Sequence, residues 1–66
     1  MAALSVEEQY DRVEEFAVLL AAAELLAATA WEISFTDDMR AAFKRHGPRT
    51  HLSHAQRESL ERIANN

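Results

Sequence analysis

Three histidines, His46, His51 and His54, are the side chains of this 66-residue sequence best suited to binding a metal ion. A metal centre needs three or four ligands that converge on one point, with further hydrogen bonds to orient them. No carboxylate or Cys lies directly beside these histidines, and the chain contains no Cys at all. We interpret them as loop residues exposed to solvent, and the sequence predicts neither a metal site nor a cofactor.

Acidic residues can act as general acids or bases where a pocket shifts their pKa values. Nine of the eleven acids fall within residues 1–38, where Arg12 is the only base. The spacing places five of them on an exposed helical face, which indicates no catalytic residue and a protein that is not an enzyme. We predict instead that this acidic face binds a protein partner, and we define it by Glu7, Glu8, Asp11, Glu14 and Glu15.

Residues 39–66 have the opposite balance, with six Lys and Arg against two Glu. A basic segment of this kind could contact nucleic-acid phosphates, and its outline of helix, glycine-containing turn and helix is similar to a helix-turn-helix. The connection is longer than the usual three to four residues or so, and the whole chain has a net charge of −4. Nucleic-acid binding is therefore the alternative hypothesis, with candidate contacts at Arg40, Lys44, Arg45, Arg49 and Arg57.

The element that has to position these side chains is residues 16–31, in which only Glu24 and Thr29 are not apolar. The stretch is shorter than the roughly 18 to 20 apolar residues of a membrane span, and Glu24 lies in its middle. The residues before it are acidic, whereas a secretory signal begins with basic ones. The sequence therefore predicts a cytoplasmic protein with no membrane partner.

A helix that is apolar all round needs cover on every side, and the rest of the chain offers few large apolar residues. We therefore predict a homodimer, in which small alanines let a second helix approach closely. Alternating steps of four and three residues are typical of a helix-packing seam. The predicted oligomer seam consists of Val13, Ala17, Leu20, Glu24, Ala27 and Trp31, and a second stripe of Phe16, Leu19, Ala23, Leu26, Ala30 and Ile33 runs beside it.

Helix starts and stops are marked by local signals. Three capping boxes begin at Ser5, Thr29 and Ser53, and Gly47-Pro48 ends a helix. No Gly or Pro precedes residue 47, so a break is expected within residues 28–36. These signals predict a single all-α domain over residues 1–66, with three helices at about 5–28, 30–46 and 53–64, of which the first is long and Ala/Leu-rich.

A further pattern occupies the C-terminal half, and its residues are Trp31, Glu32, Phe35, Phe43, Gly47, Leu52, Ser53, Gln56, Leu60 and Ile63. The pattern resembles a short helical segment of small phage and prophage proteins of unassigned role, and similar segments look like appendages of proteins that handle DNA. The resemblance covers about half of the chain. It implies a helical module in a phage-type context and carries no catalytic residues over.

Very small, acidic, cysteine-free proteins in such a context often bind and block a host machine, as anti-CRISPR proteins and polymerase inhibitors do. The leading hypothesis is accordingly a non-enzymatic, phage-encoded protein that inhibits a host defence or transcription complex by protein–protein binding. One alternative is a small nucleic-acid-binding regulator that uses residues 40–57. The other is a structural oligomerisation module.

Overall fold

The computed structural model describes residues 4–65, and most of them are helical. In chain order the elements are β1 (Leu4–Ser5), α1 (Val6–Gln9), α2 (Val13–Leu26), α3 (Ala30–His46), a single 3-10 turn (Gly47–Arg49), β2 (His51–Leu52) and α4 (His54–Ala64). The predicted helical fold class is confirmed. Within residues 4–65 there are four α-helices rather than three, and β1 and β2 pair antiparallel with Leu4 opposite Leu52.

The prediction of one long helix over residues 5–28 is wrong, because the chain leaves the helical conformation from Tyr10 to Arg12. Both Tyr10 and Arg12 have extended backbone angles. In an unbroken helix, Val6 and Tyr10 would lie well off the side that carries Phe16. The break turns both side chains towards the core. Val6 is fully buried, and the centroid of the Tyr10 ring lies 5.8 Å from that of the Phe16 ring.

Hydrogen bonds from both ends of the chain hold α1 in this position. The Val6 amide donates to the Thr50 carbonyl at 2.9 Å. The Gln9 side-chain amide donates to the carbonyls of Leu4 at 3.0 Å and Leu52 at 2.7 Å, and so fastens both strands. Arg57 in turn donates to the Gln9 Oε1 at 3.3 Å and lies over the Tyr10 ring, 4.7 Å from its centroid.

The later helices begin and end where their local signals predict. The Glu32 carboxylate accepts the backbone N–H groups of Ala28 and Thr29, and the Thr29 hydroxyl accepts the Glu32 N–H at 3.1 Å. Ser53 and Gln56 form the same reciprocal pair at the start of α4. At the end of α3, Gly47 has a φ of 57°, a conformation that favours glycine.

The core lies between α2 and the two helices that follow it. Phe16, Leu20 and Ala23 come from one side of α2, and the Phe16 ring meets the Phe43 ring edge-on at 5.1 Å. The strand pair closes one end of this core. The buried apolar residues are Val6, Phe16, Leu20, Ala23, Met39, Leu52, Leu60 and Ile63.

Candidate protein-binding surface

α2 has an apolar face outside the core, and we define this outer face of α2 as Val18, Ala21, Ala22 and Leu25. These positions are spaced three, four and seven residues after Val18, so they share one side of the helix. That side is opposite to Phe16, Leu20 and Ala23, which pack inward. Val18 is 69% exposed and Leu25 is 83% exposed.

This face exists because α2 is apolar all round, while the chain covers only part of it. α3 and α4 both pack against α2, and the buried residues of α2 all come from its inward side. The two alanines between Val18 and Leu25 leave the backbone accessible to another helix. The outer face is therefore an apolar strip with a large side chain at each end and a shallow centre.

The predicted oligomer seam does not form a free surface, because the structure buries its central residue within one chain. Leu20 is fully buried, and Ala27 packs against the same core. Val13 and Ala17 are half-buried. Trp31 is exposed but belongs to α3, which residues 27–29 separate from α2, and its ring stacks on Phe35 at 5.0 Å. Spacing alone does not single out one packing side, because every side of this stretch is apolar.

Glu24, the remaining seam residue, is paired inside the chain. Its carboxylate accepts hydrogen bonds from two guanidinium nitrogens of Arg40, with the Nε at 3.0 Å. The hydrogen bond to Glu24 raises the pKa of Arg40 above its ordinary value. The pair fastens α2 to α3 at their edge, so Glu24 and Arg40 are each engaged within the chain while both side chains stay partly exposed.

The acidic face is divided by the break between α1 and α2. Glu8 accepts hydrogen bonds from the backbone N–H and the hydroxyl of Ser5, both at 2.9 Å, and these bonds hold the pKa of Glu8 below its ordinary value. Glu15 accepts the backbone N–H of Arg12 at 3.2 Å. Glu7, Asp11 and Glu14 are exposed and form no ion pair within residues 4–65.

The candidate nucleic-acid contacts are also divided. Arg40 is held by Glu24, and Arg57 is held by Gln9, the Tyr10 ring and Glu61, whose carboxylate lies 3.8 Å away. The other three residues, Lys44, Arg45 and Arg49, are exposed at the end of α3 and in the turn after it. Among the described residues they have no ion-pair partner.

The three histidines are exposed, but they are not loop residues as predicted. His46 is the last residue of α3, His51 lies in β2 and His54 is the first residue of α4, 3.2 Å from Glu58. Across residues 4–65 no three His, Asp or Glu side chains come close enough together to hold a metal ion. None of the helices described combines the length and the hydropathy that a membrane span requires.

Comparisons of the chain with protein-family models, with curated proteins and with solved structures found no match. The resemblance of the C-terminal half to phage proteins accordingly stays a prediction. The site rests on the geometry of α2. The sequence analysis did not predict the outer face. One signal for it was present, because positions 18, 21, 22 and 25 are apolar and lie opposite to the side of the helix that carries Phe16.

Proposed function

We propose that this chain is a non-enzymatic interaction protein that forms a homodimer through the outer face of α2. The observation that carries the proposal is the exposure of Val18 and Leu25, at 69% and 83%, on one face of the most apolar helix. Large exposed apolar side chains that share one face are typical of association sites, whereas scattered ones are not. We propose that a second copy of the chain binds to this face.

The shape of the face favours a second copy in antiparallel orientation. A two-fold axis between Ala21 and Ala22 would set Val18 of one protomer opposite Leu25 of its partner, and each alanine opposite the other. Large residues would then meet large residues at the ends, and the small ones would allow close approach in the middle. A parallel arrangement would instead bring the Glu14 carboxylates of both protomers together, and like charges repel.

The area involved limits how strong such a dimer can be. Fully burying a Val or Leu side chain stabilises by about 1.5 to 3 kcal/mol. Two copies supply four such side chains, and at about 2.5 kcal/mol for each they contribute about 10 kcal/mol. Association itself costs at least about 4 kcal/mol, which leaves about 6 kcal/mol. The dissociation constant is therefore expected to be no tighter than tens of micromolar or so.

Sedimentation equilibrium from about 10 µM to about 1 mM tests the dimer, a range that brackets the expected constant. We expect Leu25→Glu to remain helical, because the side chain is 83% exposed, and to weaken dimerisation at least about tenfold. Leu20→Glu should unfold the chain instead, because Leu20 is fully buried. A wild-type chain that stays monomeric throughout the range would refute the proposal.

A matched pair of variants separates the outer face from a general effect of added charge. Ala21 and Ala41 are both exposed alanines within helices, but only Ala21 belongs to the outer face. Ala21→Glu should dissociate the dimer, whereas Ala41→Glu should leave the dissociation constant unchanged. Equal effects of the two substitutions would place the interface elsewhere.

The target of the proposed dimer is taken from the sequence resemblance. In a phage-type context, the dimer would inhibit a host defence or transcription complex in the manner of anti-CRISPR proteins. The support for a protein target is the set of acidic residues Glu7, Asp11 and Glu14, which are exposed without an ion pair within residues 4–65. These carboxylates suit a basic protein surface, since opposite charges steer association.

A further inference from the structure

A second surface lies beside the end of α3, away from the outer face of α2. It is an open concavity of about 300 Å³, lined by Ala42, His46, Arg49, Thr50 and His51. The lining comes from the last turns of α3, the 3-10 turn and β2, which the strand pair and Gly47 hold together. The fold thus brings two imidazoles and a guanidinium to one depression.

Three of the side chains that line this depression are hydrogen-bond donors exposed to solvent. His46, Arg49 and His51 are exposed, and no ion pair engages them within residues 4–65. Arg45 extends the positive charge beyond the rim, whereas Lys44 lies on the opposite side of α3, because it is two residues away from both Ala42 and His46. An imidazole can donate a hydrogen bond, and a guanidinium offers five donors in a fork that matches a phosphate.

Two features of the surroundings bear on whether an anion is accepted. The Thr50 hydroxyl donates to the Gly47 carbonyl at 2.7 Å, and the Thr50 backbone N–H donates to the same oxygen at 3.0 Å. This acceptor at the end of the helix is therefore occupied. α1 packs against the 3-10 turn and brings two carboxylates, Glu7 and Glu8, to that side of the depression, where they oppose an anion. Glu8 also interacts electrostatically with His51.

We propose that this depression binds a phosphate group of a nucleic-acid backbone, with Arg49, His46 and His51 around one phosphate and Arg45 on its neighbour. The extension of charge beyond the rim favours a polynucleotide over a single free phosphate, which would fill only the depression. The net charge of −4 does not prevent this. At about 0.1 M salt, charges more than about 10 Å away are largely screened.

Fluorescence anisotropy of a labelled 20-base-pair duplex tests the proposal. With Arg45 and Arg49 each neutralising one phosphate, the slope of log affinity against log salt should be about −1.8. Raising the salt from about 50 to about 200 mM should therefore weaken binding about 12-fold. Arg49→Ala should reduce that loss to about 3.5-fold, because one phosphate contact is removed.

The control is Arg62→Ala, since Arg62 is an exposed base on α4 that does not line the depression. It should leave both the affinity and the salt slope unchanged. Inorganic phosphate, followed by the histidine ring signals in NMR spectra, distinguishes the source of the phosphate. Shifts of His46 and His51 without duplex binding would overturn the nucleic-acid assignment, and so would equal effects of Arg49→Ala and Arg62→Ala. The dimer experiment is independent of these results.

Discussion

At the scale of single residues, acidic side chains at the starts of helices are part of the fold as well as part of the charge. Glu8 and Glu32 each accept a backbone N–H from the residue at the helix start, and Glu32 accepts two. Backbone N–H groups there have no partner within the helix, so a carboxylate is a favourable acceptor. The charge of a residue on this protein therefore does not by itself mark it as a binding residue.

These bonds predict a loss of stability in acid. Hydrogen bonds from the Ser5 backbone lower the pKa of Glu8, and those from Ala28 and Thr29 lower the pKa of Glu32, below the ordinary value of 4.5. A lowered folded-state pKa stabilises the protein above the unfolded value, and this contribution is lost as the pH falls through the folded value. We expect the thermal midpoint to drop between about pH 5 and pH 3.

The double variant Glu8→Gln, Glu32→Gln should show a smaller drop over that interval, because its side chains accept hydrogen bonds at either pH. Glu7→Gln with Asp37→Asn is the matched control, since both acids are exposed and accept no hydrogen bond within residues 4–65. Thermal melts followed by circular dichroism supply the midpoints. Parallel curves for wild type and the double variant would contradict the assignment.

At the scale of elements, the sequence predicts α3 and α4 well and the first third of the chain poorly. Thr29, Ser53 and Gly47 act locally, so their effects follow from a few neighbouring residues. The break at residues 10–12 has no Gly or Pro to announce it. It depends on contacts of Val6 and Gln9 with Thr50 and Leu52, which are remote in sequence. Strands of two residues are likewise too short to produce an alternating pattern.

The end of α3 offers a test of one local signal. Gly47 has positive φ, and a Cβ added there would meet no atom within 4 Å. The effect of Gly47→Ala is therefore backbone strain alone, and we expect a loss of about 1 to 3 kcal/mol in the free energy of unfolding. Urea titration measures it, with Ala41→Gly as a control for the ordinary effect of glycine in a helix. An unchanged midpoint for Gly47→Ala would show that the turn adopts another conformation.

At the scale of the whole molecule, the two signs of charge are separated along the sequence, but the packing of α1 against the 3-10 turn brings them together in space. Glu7, Asp11 and Glu14 lie at the N-terminal end, and Lys44, Arg45 and Arg49 lie around the end of α3. The sequence shows which residues are charged, but it does not show which of them are already paired within the chain. In the structure, ion pairs within the chain engage Glu24, Arg40 and Arg57.

Reversal of the acidic residues tests the N-terminal end. Changing Glu7, Asp11 and Glu14 to Lys shifts the net charge from −4 to +2, because each replacement adds two charges. We expect the binding of a labelled Lys-rich peptide to be lost and helicity to be retained, since all three side chains are exposed. Anisotropy and circular dichroism measure the two. Reversal of Asp37, Asp38 and Glu58 gives the same net charge from other exposed positions, and equal loss there would refute a localised acidic site.

The bond between Gln9 and the Leu52 carbonyl joins residues 43 positions apart, and this has a consequence for the order in which the chain folds. The contact between α2 and α3 closes a short loop, which is fast, whereas α4 must return past the whole of α3 to reach α2. α1 has no place to dock until β2 has been set in position by the turn at Gly47. We therefore expect the first helix in the sequence to be the last to join, and the earliest to detach when the protein begins to unfold.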